Sequence, residues 1–353
     1  MTHNTGPYRA GILGASGYVG AELLRLLAGH PELDVAYVSA DTNAGAPVTS
    51  LYPSLAAAYG DLTFSRYDPG ALDALAGLDV VFVALPHGES QKVVPDLVER
   101  VAHVVDLGAD FRLPPDVYAH WYGGAHAAPD LVAAFGYGMV ELFRAGLSSH
   151  RHVASPGCYP TAAALALAPL VAGGLVETTG IVVNAVSGIS GAGRKLAASN
   201  LYAEREQNAV AYGLLTHRHT AEIEHALAHA AAAPVQVFFT PHLVPMTRGI
   251  LATCVARPTT NGLSTATLLD IARAYYADDP FVIVTADPPQ TKAALGANTA
   301  LITLRYDTRT EQVLALGAID NLVKGAAGQA IQALNLVLGL PEITGLPAVG
   351  MMP

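Results

Sequence analysis

The stretch Arg9-Ala10-Gly11-Ile12-Leu13-Gly14-Ala15-Ser16-Gly17-Tyr18-Val19-Gly20 decides the fold of this chain. A short apolar strand, Arg9–Leu13, runs directly into a turn with three glycines. The next segment, Ala21–Leu27, places leucines on one face of a helix. Strand, glycine turn and helix in this order are typical of a dinucleotide-binding site, where the helix N-terminus meets the pyrophosphate. The spacing is GxxGxxG rather than the commoner GxGxxG, so a glycine-rich turn that binds nothing is the alternative.

Each glycine has its own task in this interpretation. Gly14 makes the turn, Gly17 lets the backbone approach the pyrophosphate, and Gly20 allows the helix to pack closely on the strand. We therefore expect the loop to line the cofactor site. The loop candidates are Gly14, Ala15, Ser16, Gly17, Tyr18 and Val19.

The second predicted strand, Asp34–Ser39, ends where the adenine ribose of a dinucleotide is usually bound. Asp41 would accept a hydrogen bond from the ribose 2′-hydroxyl, which favours NAD. Alternatively, Asp41 is a turn residue, and Ser39 and Thr42 bind the 2′-phosphate of NADP. No arginine lies in this loop, so the loop by itself leaves the choice of cofactor open.

Two further strands end in loops that should line the same crevice, because ligands bind at the carboxyl ends of parallel strands. The strand Asp79–Leu85 is followed by Pro86 and His87, which we expect to contact the cofactor. The strand Val101–Leu107 leads to Arg112, whose charged fork suits a carboxylate or phosphate of the substrate. The alternative for His87 and Arg112 is an ordinary surface role.

A second decisive motif is Ser155-Pro156-Gly157-Cys158-Tyr159-Pro160-Thr161, which precedes a predicted helix over Ala162–Leu170. A cysteine at the start of a helix feels the positive end of the helix dipole, which favours the nucleophilic thiolate. The free backbone N–H groups there can hold an oxyanion. The alternative is a buried structural cysteine. Cys158 is therefore the candidate nucleophile.

The segment Thr216–Glu224 carries His217 and His219 at the start of a helix predicted over Thr220–Ala233. Histidine titrates near neutral pH and can act as acid or base beside a thiol, and Glu222 can orient an imidazole. Residues two apart do not share a helix face, so we expect at most one of the two to face the sulfur. His217 lies further from the helix interior and is preferred slightly; a solvated helix start is the alternative.

The pattern changes after Gly180, where short strands predominate. The strands Ile181–Val186, Val235–Phe239, Gly249–Ala256, Phe281–Thr285, Ala300–Tyr306 and Val313–Ile319 predict a largely antiparallel sheet. The predicted fold is an α/β Rossmann nucleotide-binding domain followed by an α+β domain with this sheet. The serine- and glycine-rich stretch Ser187–Lys195 indicates a cradle for an anion, or else a flexible surface loop. We expect the substrate to contact Arg112, Ser187, Ser190 and Arg194.

The composition limits the function. The 353 residues are 52% hydrophobic and 14% charged, so a large core forms and disorder is not expected. A net charge of −10 disfavours nucleic acid and anionic membranes as partners. Two cysteines, Cys158 and Cys254, make neither a disulfide framework nor a zinc site and fit a reducing compartment. No apolar run is long enough to span a membrane. We expect a cytoplasmic protein without a bound metal.

Four motifs together resemble one enzyme family, the N-acetyl-γ-glutamyl-phosphate reductases of arginine biosynthesis. They are the glycine loop, the Cys158 motif, His217-Arg218-His219 with Glu222, and Asn321–Gln329. The resemblance implies a Rossmann domain of residues 1–157 and 326–353, in which a returning C-terminal helix takes part. It also implies a domain of residues 158–325 that binds substrate and mediates a homodimer or homotetramer.

The same resemblance implies NADPH as the reductant, with Gly188 and Asn321 among the cofactor contacts. Gly188 is also a candidate for the anionic part of the substrate. The family leads us to expect a basic residue near Ser39, where this sequence has Ala40-Asp41. This departure leaves the choice between NADP and NAD dependent on Asp41.

The implied reaction is the NADPH-dependent reduction of N-acetyl-L-glutamyl 5-phosphate to the 5-semialdehyde. A thioester on Cys158 carries the acyl group after phosphate leaves, because a thioester accepts hydride better than a carboxylate does. The alternatives are the same chemistry on another acyl phosphate, such as aspartyl phosphate, and a nicotinamide-binding sensor without turnover. A cysteine–histidine hydrolase would have no use for the glycine loop.

Overall fold

The structure, a computed structural model, describes residues 6–69 and 72–352. Backbone contacts divide the chain into two units. The first contains the described residues up to Pro156 together with Ala326–Leu346, and the second contains Gly157–Gly325 and the tail from Pro347. The boundaries predicted from the sequence differ from this division at residue 157 and in the tail.

The first unit is built on a parallel sheet of six strands in the order β2-β1-β3-β4-β6-β5. The strands are β1 (Tyr8–Leu13), β2 (Leu33–Val38), β3 (Val80–Val83), β4 (His103–Asp106), β5 (Phe135–Tyr137) and β6 (His152–Ala154). All four residues of β3 are buried, as is typical of a parallel strand with both faces covered. This sheet confirms the predicted Rossmann-type domain.

Among the described residues, six α-helices lie in the connections between these strands. They are α1 (Tyr18–Leu27), α2 (Val48–Leu51), α3 (Ala56–Tyr59), α4 (Ser90–Val98), α5 (Pro115–Tyr122) and α6 (Val140–Leu147). In α1 the buried face includes Leu23, Leu24 and Leu27, which the sequence had placed on one side of the helix.

The strand order reverses at β1, because β2 and β3 lie on its two sides. The loops that follow β1 and β3 therefore meet at the carboxyl edge of the sheet. The N–H of Ala84 donates to the carbonyl of Leu13 over 2.9 Å. A reversal of this kind leaves the crevice in which doubly wound sheets bind their ligands.

The second unit contains a mixed sheet of seven strands in the order β11-β12-β13-β10-β7-β9-β8. The elements in chain order are α7 (Cys158–Ala172), β7 (Ile181–Ser187), α8 (Tyr202–Arg205), β8 (Val210–Ala211), α9 (His219–Ala231), β9 (Val237–Leu243), β10 (Ile250–Ala256), α10 (Thr265–Tyr275), β11 (Val282–Val284), β12 (Ala300–Asp307) and β13 (Gln312–Ile319). The β7–β9 and β11–β12 pairs are parallel and the others are antiparallel. The predicted, largely antiparallel sheet is confirmed.

Helix α7 is the core element of the second unit. Every residue from Tyr159 to Val171 is buried, because α9, α10 and the sheet pack around the helix. Gly317 of β13 permits this approach, since a Cβ at that position would meet the carbonyl oxygen of Ala162. The helix that begins with Cys158 is thus held rigidly from its first turn.

The segment after β13 does not continue as one regular helix. The carboxylate of Asp320 accepts the N–H groups of Leu322 and Val323, at 2.8 and 3.3 Å, and a π-helical turn follows over Val323–Ala327. Only then does α11 (Gly328–Val337) begin. In the first unit α11 packs on α6 and β6, and Gln329 donates to the carbonyl of Gly138 over 2.9 Å.

The tail beyond α11 is irregular, and its last part belongs to the second unit. There the N–H of Met351 donates to the carbonyl of Leu295 over 2.7 Å, and the N–H of Asn298 donates to the carbonyl of Pro347 over 2.7 Å. No helix within residues 6–69 and 72–352 has the length and apolar character needed to cross a membrane.

Candidate active site

The glycine loop of the first unit has the geometry that its sequence predicts. Gly14 adopts a left-handed backbone with φ of +80°, and a Cβ there would meet the carbonyl oxygen of Ala84. A Cβ on Gly20 would lie 2.5 Å from the Cα of Ala15, so α1 rests directly on the loop. The fold itself therefore requires glycine at both positions.

Gly17 is different, because the protein does not require glycine there. Its φ of −79° suits any residue, and a Cβ would make an ordinary contact with the carbonyl oxygen of Gly14 at 3.5 Å. Gly17 is also the N-cap of α1 and has no side chain to accept the first N–H groups of the helix. Close approach of an anionic ligand to this turn accounts for the glycine, so the loop fits a dinucleotide pyrophosphate.

The end of β2 is joined to the glycine loop. The carbonyl of Ser39, a buried residue, accepts the N–H of Ala15 over 2.8 Å. Beyond it, Asp41 and Thr42 are exposed. Arg66 reaches this loop from a later segment, and its Nη1 lies 3.0 Å from Oδ1 of Asp41. The basic residue that the loop sequence lacks is thus supplied by another part of the chain.

The loop after β3 is held by a buried carboxylate. Asp110 accepts hydrogen bonds from the N–H of Gly88 at 2.8 Å, the N–H of Gln91 at 3.1 Å, the hydroxyl of Ser90 at 2.8 Å and the hydroxyl of Tyr118 at 3.0 Å. Gly88 has a left-handed φ of +82°. The preceding residues, Pro86 and His87, therefore sit on a loop fixed by Asp110, and the His87 ring lies 5.9 Å from the ring of Tyr122.

A second carboxyl group lies beside Asp110. Asp106 is fully buried, and burial together with the charge of Asp110 raises its pKa to about 7. The Ser90 hydroxyl lies 3.2 Å from Oδ2 of Asp106 and 2.8 Å from Oδ2 of Asp110. A hydroxyl has one proton to donate, so the second contact is satisfied when Asp106 is protonated and donates to Ser90.

Arg112 follows these carboxyl groups on the loop after β4. It is largely buried, and its Nη2 donates to the carbonyl of Leu107 over 3.0 Å. The guanidinium is therefore fixed within the loop instead of moving freely on the surface.

The cysteine motif of the second unit begins α7. Cys158 is its first residue and is partly exposed. The N–H of Gly157 donates to Oε1 of Glu222 over 2.6 Å, and the Thr161 hydroxyl donates to the carbonyl of Gly157 over 2.9 Å. These bonds fix the turn that presents the thiol. The helix begins four residues earlier than predicted, since proline is tolerated in a first helical turn.

His219 and Glu222 both pack against the residue before the cysteine. A Cβ on Gly157 would lie 2.6 Å from Nε2 of His219 and 2.9 Å from Oε2 of Glu222. The absence of a side chain at Gly157 thus allows an imidazole and a carboxylate to reach the backbone beside Cys158. This is the arrangement expected of a nucleophile with a nearby proton-transfer group.

His217 has a different environment. Its Nδ1 accepts the N–H of His219 over 3.2 Å, which leaves its proton on Nε2. The rings of Tyr159, Tyr212 and Phe239 surround it at centroid distances of 5.7, 5.3 and 5.4 Å. Burial, aided by the charge of Arg218, lowers the pKa of His217 to about 4. It is a neutral, packed imidazole at physiological pH.

The serine- and glycine-rich loop of the second unit is organised by Asn321. The Asn321 amide donates to the Ser190 hydroxyl over 3.0 Å and accepts the N–H of Gly249 over 2.7 Å. Gly188 donates to the carbonyl of Gly249 over 2.9 Å, and the Ser187 hydroxyl donates to the carbonyl of Gly188 over 3.0 Å. The side chain of Asn321, a predicted cofactor contact, therefore binds the protein. Arg194 lies exposed further along the same loop.

The predicted site residues fall into two groups. The first unit holds Gly14, Ala15, Ser16, Gly17, Tyr18, Val19, Ser39, Thr42, Pro86, His87 and Arg112. The second unit holds Cys158, Ser187, Gly188, Ser190, Arg194, His217, His219, Glu222 and Asn321. Among the described residues, no group of three or more His, Cys, Asp or Glu side chains is arranged to hold a metal ion.

Several residues were missed by the sequence analysis. Tyr159 was part of the quoted cysteine motif but received no role, although its hydroxyl donates to the carbonyl of His242 over 3.1 Å and accepts from Tyr212 over 3.2 Å. Its position next to Cys158 was the available signal. Arg66 and Asp106 carried no local signal, because their partners are brought to them by the fold.

Family models match both parts of the chain. Residues 9–150 match the model described as "Semialdehyde dehydrogenase, NAD binding domain", and residues 158–321 match "Semialdehyde dehydrogenase, dimerisation domain". Solved structures share the fold. Aspartate semialdehyde dehydrogenase II of Vibrio cholerae, complexed with ASA, has a TM-score of 0.71 at 17% identity, over 95% of this chain and 99% of that one.

The aspartate semialdehyde dehydrogenase of Candida albicans, solved with NADP, has a TM-score of 0.60 at 18% identity, covering 94% of this chain and 98% of that one. At these identities the likeness shows the fold alone. The glycine loop, the cysteine at a helix start and the two matching models define a protein of the semialdehyde dehydrogenase class.

Relatives that match nearly the full length of the chain identify one family within this class. An N-acetyl-gamma-glutamyl-phosphate reductase of Symbiobacterium thermophilum is 48% identical over 97% of this chain and 98% of its own length. One from Acidothermus cellulolyticus is 47% identical over 98% of this chain and 99% of its own length. The chain belongs to the N-acetyl-gamma-glutamyl-phosphate reductase family, and the resemblance found in its motifs is confirmed.

Proposed function

We propose that this protein reduces N-acetyl-L-glutamyl 5-phosphate to N-acetyl-L-glutamate 5-semialdehyde with NADPH and releases phosphate, as a step of arginine biosynthesis. The observation that carries the proposal is the placement of Cys158 at the start of α7, with His219 and Glu222 against the preceding residue. The names of the full-length relatives supply the substrate.

The chemistry follows from the cysteine. The Cys158 thiolate attacks the acyl carbon, the bond from that carbon to the phosphate oxygen breaks, and a thioester forms as phosphate leaves. NADPH, when bound, supplies the hydride that reduces the thioester carbon. The resulting oxyanion collapses and the carbon–sulfur bond breaks, which gives the aldehyde and restores the thiolate, while the departing phosphate takes up the proton. One NADPH and one proton are consumed for each phosphate released.

Backbone N–H groups at the start of α7 are placed to stabilise the oxyanion of each tetrahedral intermediate. The first N–H groups of a helix have no intrahelical acceptor, and the dipole adds positive potential at the same point. Glu222 takes the N–H of Gly157, which fixes the orientation of the turn. The Cys158 N–H is the donor we assign to the oxyanion.

We assign proton transfer to His219 rather than His217. His219 places Nε2 against Gly157, whereas His217 is committed through Nδ1 to a backbone N–H and is enclosed by aromatic rings. The low pKa of His217 keeps it neutral, so it does not supply a cation to the thiolate at pH 7. In this assignment His217 positions its neighbour, and Glu222 positions both the turn and the imidazole.

The cofactor would be held by the first unit. The turn from Gly14 to Val19 offers the backbone approach that the pyrophosphate needs, and Ser39 and Thr42 lie at the ribose edge. Pro86 and His87, on the loop fixed by Asp110, are assigned to the nicotinamide half. Gly188 and the backbone of Asn321 complete the proposed cofactor contacts.

Anionic groups of the substrate are assigned to two positions. Arg112 is fixed on the loop after β4 and suits a carboxylate or phosphate. Ser187, Ser190 and Arg194 belong to the loop organised by Asn321, and they offer two hydroxyls and a guanidinium. These assignments rest on residue chemistry and on their places in the fold.

We further propose a homodimer or homotetramer in the cytoplasm. The second unit matches a model described as a dimerisation domain. The sheet face away from α7 carries half-buried apolar side chains, among them Val182, Val186, Leu251, Leu314 and Leu316. A second copy would cover this face. Light scattering over a range of protein concentrations tests the assembly.

The test of the reaction is run in the oxidative direction. N-acetylglutamate semialdehyde and inorganic phosphate are supplied with NADP⁺, and nicotinamide absorbance is followed; aspartate semialdehyde and NAD⁺ serve as comparisons. We expect a phosphate-dependent signal with the acetylated substrate. Cys158→Ala should abolish turnover and leave NADP⁺ binding, measured by calorimetry, within about twofold of the unaltered protein because the thiol acts on the acyl carbon and is not an assigned cofactor contact. Turnover by Cys158→Ala would refute the thioester mechanism.

A further inference from the structure

Arg66 is placed beside the end of β2 by backbone pairing that the sequence did not reveal. The N–H of Ser65 donates to the carbonyl of Val38, and the N–H of Ala40 donates to the carbonyl of Ser65, each over 2.9 Å. Phe64, the residue before this bridge, is buried. Arg66 follows Ser65 directly, so the backbone position of the arginine is set by the sheet edge and by a buried anchor.

This place is the ribose edge of the proposed cofactor site. The carbonyl of Ser39, the residue directly after β2, accepts the N–H of Ala15 and so connects the strand end to the glycine loop. In a doubly wound sheet the adenine ribose lies at the end of the second strand, with its 2′ position facing the loop that follows. Arg66 and Asp41 are the charged pair of that loop.

The ion pair between them adds little to stability. Its side chains are 68% and 86% exposed, and solvent screening and side-chain entropy leave exposed pairs of this kind with little net stabilisation. The guanidinium can therefore exchange its carboxylate partner for another anion at low cost. A phosphate dianion is a stronger partner for that fork than a single carboxylate oxygen.

Asp41 alone would oppose NADPH, because a carboxylate repels the 2′-phosphate and accepts from the 2′-hydroxyl of NADH. With Arg66 at 3.0 Å that charge is compensated. We propose that Arg66 binds the 2′-phosphate of NADPH and sets the preference for NADPH over NADH, while Asp41 holds the guanidinium at the ribose edge until the phosphate replaces it. This inference rests on the proposed use of a nicotinamide cofactor.

The test measures binding and does not require turnover. Isothermal titration of the full chain with NADP⁺, NAD⁺, 2′,5′-ADP and 5′-AMP compares ligands with and without the 2′-phosphate. Arg66→Ala should weaken NADP⁺ and 2′,5′-ADP by roughly 10- to 100-fold, the range expected for loss of charge-assisted hydrogen bonds. Affinity for NAD⁺ and 5′-AMP should change by less than about threefold, since neither carries the 2′-phosphate.

Two further variants sharpen the result. Arg309→Ala removes another exposed arginine that pairs with an aspartate, in the turn between β12 and β13, and should leave all four affinities unchanged. Asp41→Asn should strengthen NADP⁺ and weaken NAD⁺. Equal NADP⁺ affinity in Arg66→Ala and the unaltered chain would overturn the proposal, and so would an equal loss for NADP⁺ and NAD⁺.

The binding and turnover measurements distinguish an error in the Arg66 proposal from an error in the proposed reaction. If Arg66 does not bind the 2′-phosphate of the cofactor, the oxidative assay still shows Cys158-dependent turnover with N-acetylglutamate semialdehyde. If the proposed reaction is wrong, that assay is silent while the binding differences between Arg66→Ala and the unaltered chain persist.

Discussion

Replacing Asp106 by asparagine should raise the free energy of unfolding, and the gain should grow as the pH rises toward 7. Burial and the neighbouring Asp110 raise the pKa of Asp106 from 3.8 to about 7. Between these values the folded chain keeps a proton that the unfolded chain releases, so the free energy of unfolding falls as pH rises through this window. The accumulated cost at pH 8 is about 4 kcal/mol, since each unit of pKa difference is worth about 1.4 kcal/mol.

Asparagine reproduces the protonated carboxyl group without a titratable proton. Its amide nitrogen can donate to the Ser90 hydroxyl as the acid does, and its oxygen can accept the N–H of Gly108, which now donates to Asp106 over 2.9 Å. The gain from Asp106→Asn should therefore grow by about 3 kcal/mol between pH 5 and pH 8. Guanidinium unfolding of both proteins across that range measures it.

The matched control is Asp110→Asn. Asp110 accepts from two backbone N–H groups and two hydroxyls, and an amide nitrogen in place of one oxygen would face these donors. This variant should lose about 1–3 kcal/mol at pH 5 and less at pH 8, because removing the charge of Asp110 also lowers the pKa of Asp106. If Asp106→Asn destabilised the protein at both pH values, or its gain did not change with pH, Asp106 would not be protonated in the folded chain as inferred.

Two further expectations concern the cysteine–histidine cluster. Gly157→Ala would place a Cβ 2.6 Å from Nε2 of His219 and should lower kcat by roughly 100-fold through misplacement of catalytic groups, with about 1–3 kcal/mol lost in stability. In Gly146→Ala, where a Cβ would meet no described atom within 4 Å, kcat should stay unchanged. His219→Asn should reduce kcat by about 10²- to 10⁴-fold, as for loss of a proton donor. His217→Asn should lower the unfolding midpoint and reduce kcat by much less than His219→Asn does. Equal losses of kcat in the two variants would contradict our assignment.

Local patterns were enough to predict most of the sheet and the glycine loop. Strand β1 and the turn after it combine apolar residues, three spaced glycines and a leucine-faced helix, all within 20 residues. Such signals depend on periodicity and backbone conformation, which neighbouring residues determine. The strands of the second unit were found for the same reason, with ends shifted by a few residues.

Local patterns did not predict which side chains contact each other in the fold. Arg66 follows a bridge between Ser39 and Ser65, residues that are far apart in sequence, so no spacing rule points to it. The preference for His217 came from its place at the helix start. The aromatic rings that three separate segments bring around His217, and the N–H that its Nδ1 accepts, follow from the fold and leave no mark in the local sequence.

The two glycines that flank Cys158 in space explain why its position depends on the whole second unit. Gly157 admits the side chains of α9, and Gly325, in the π-helical turn, lies so close that a Cβ would come within 2.7 Å of the Cβ of Cys158. This turn precedes α11. The carboxylate of Asp320 takes two N–H groups, and the wider turn brings a glycine onto the nucleophile. The thiol is therefore positioned by contacts from α9 on one side and from the segment after β13 on the other, and a side chain at either glycine would displace it.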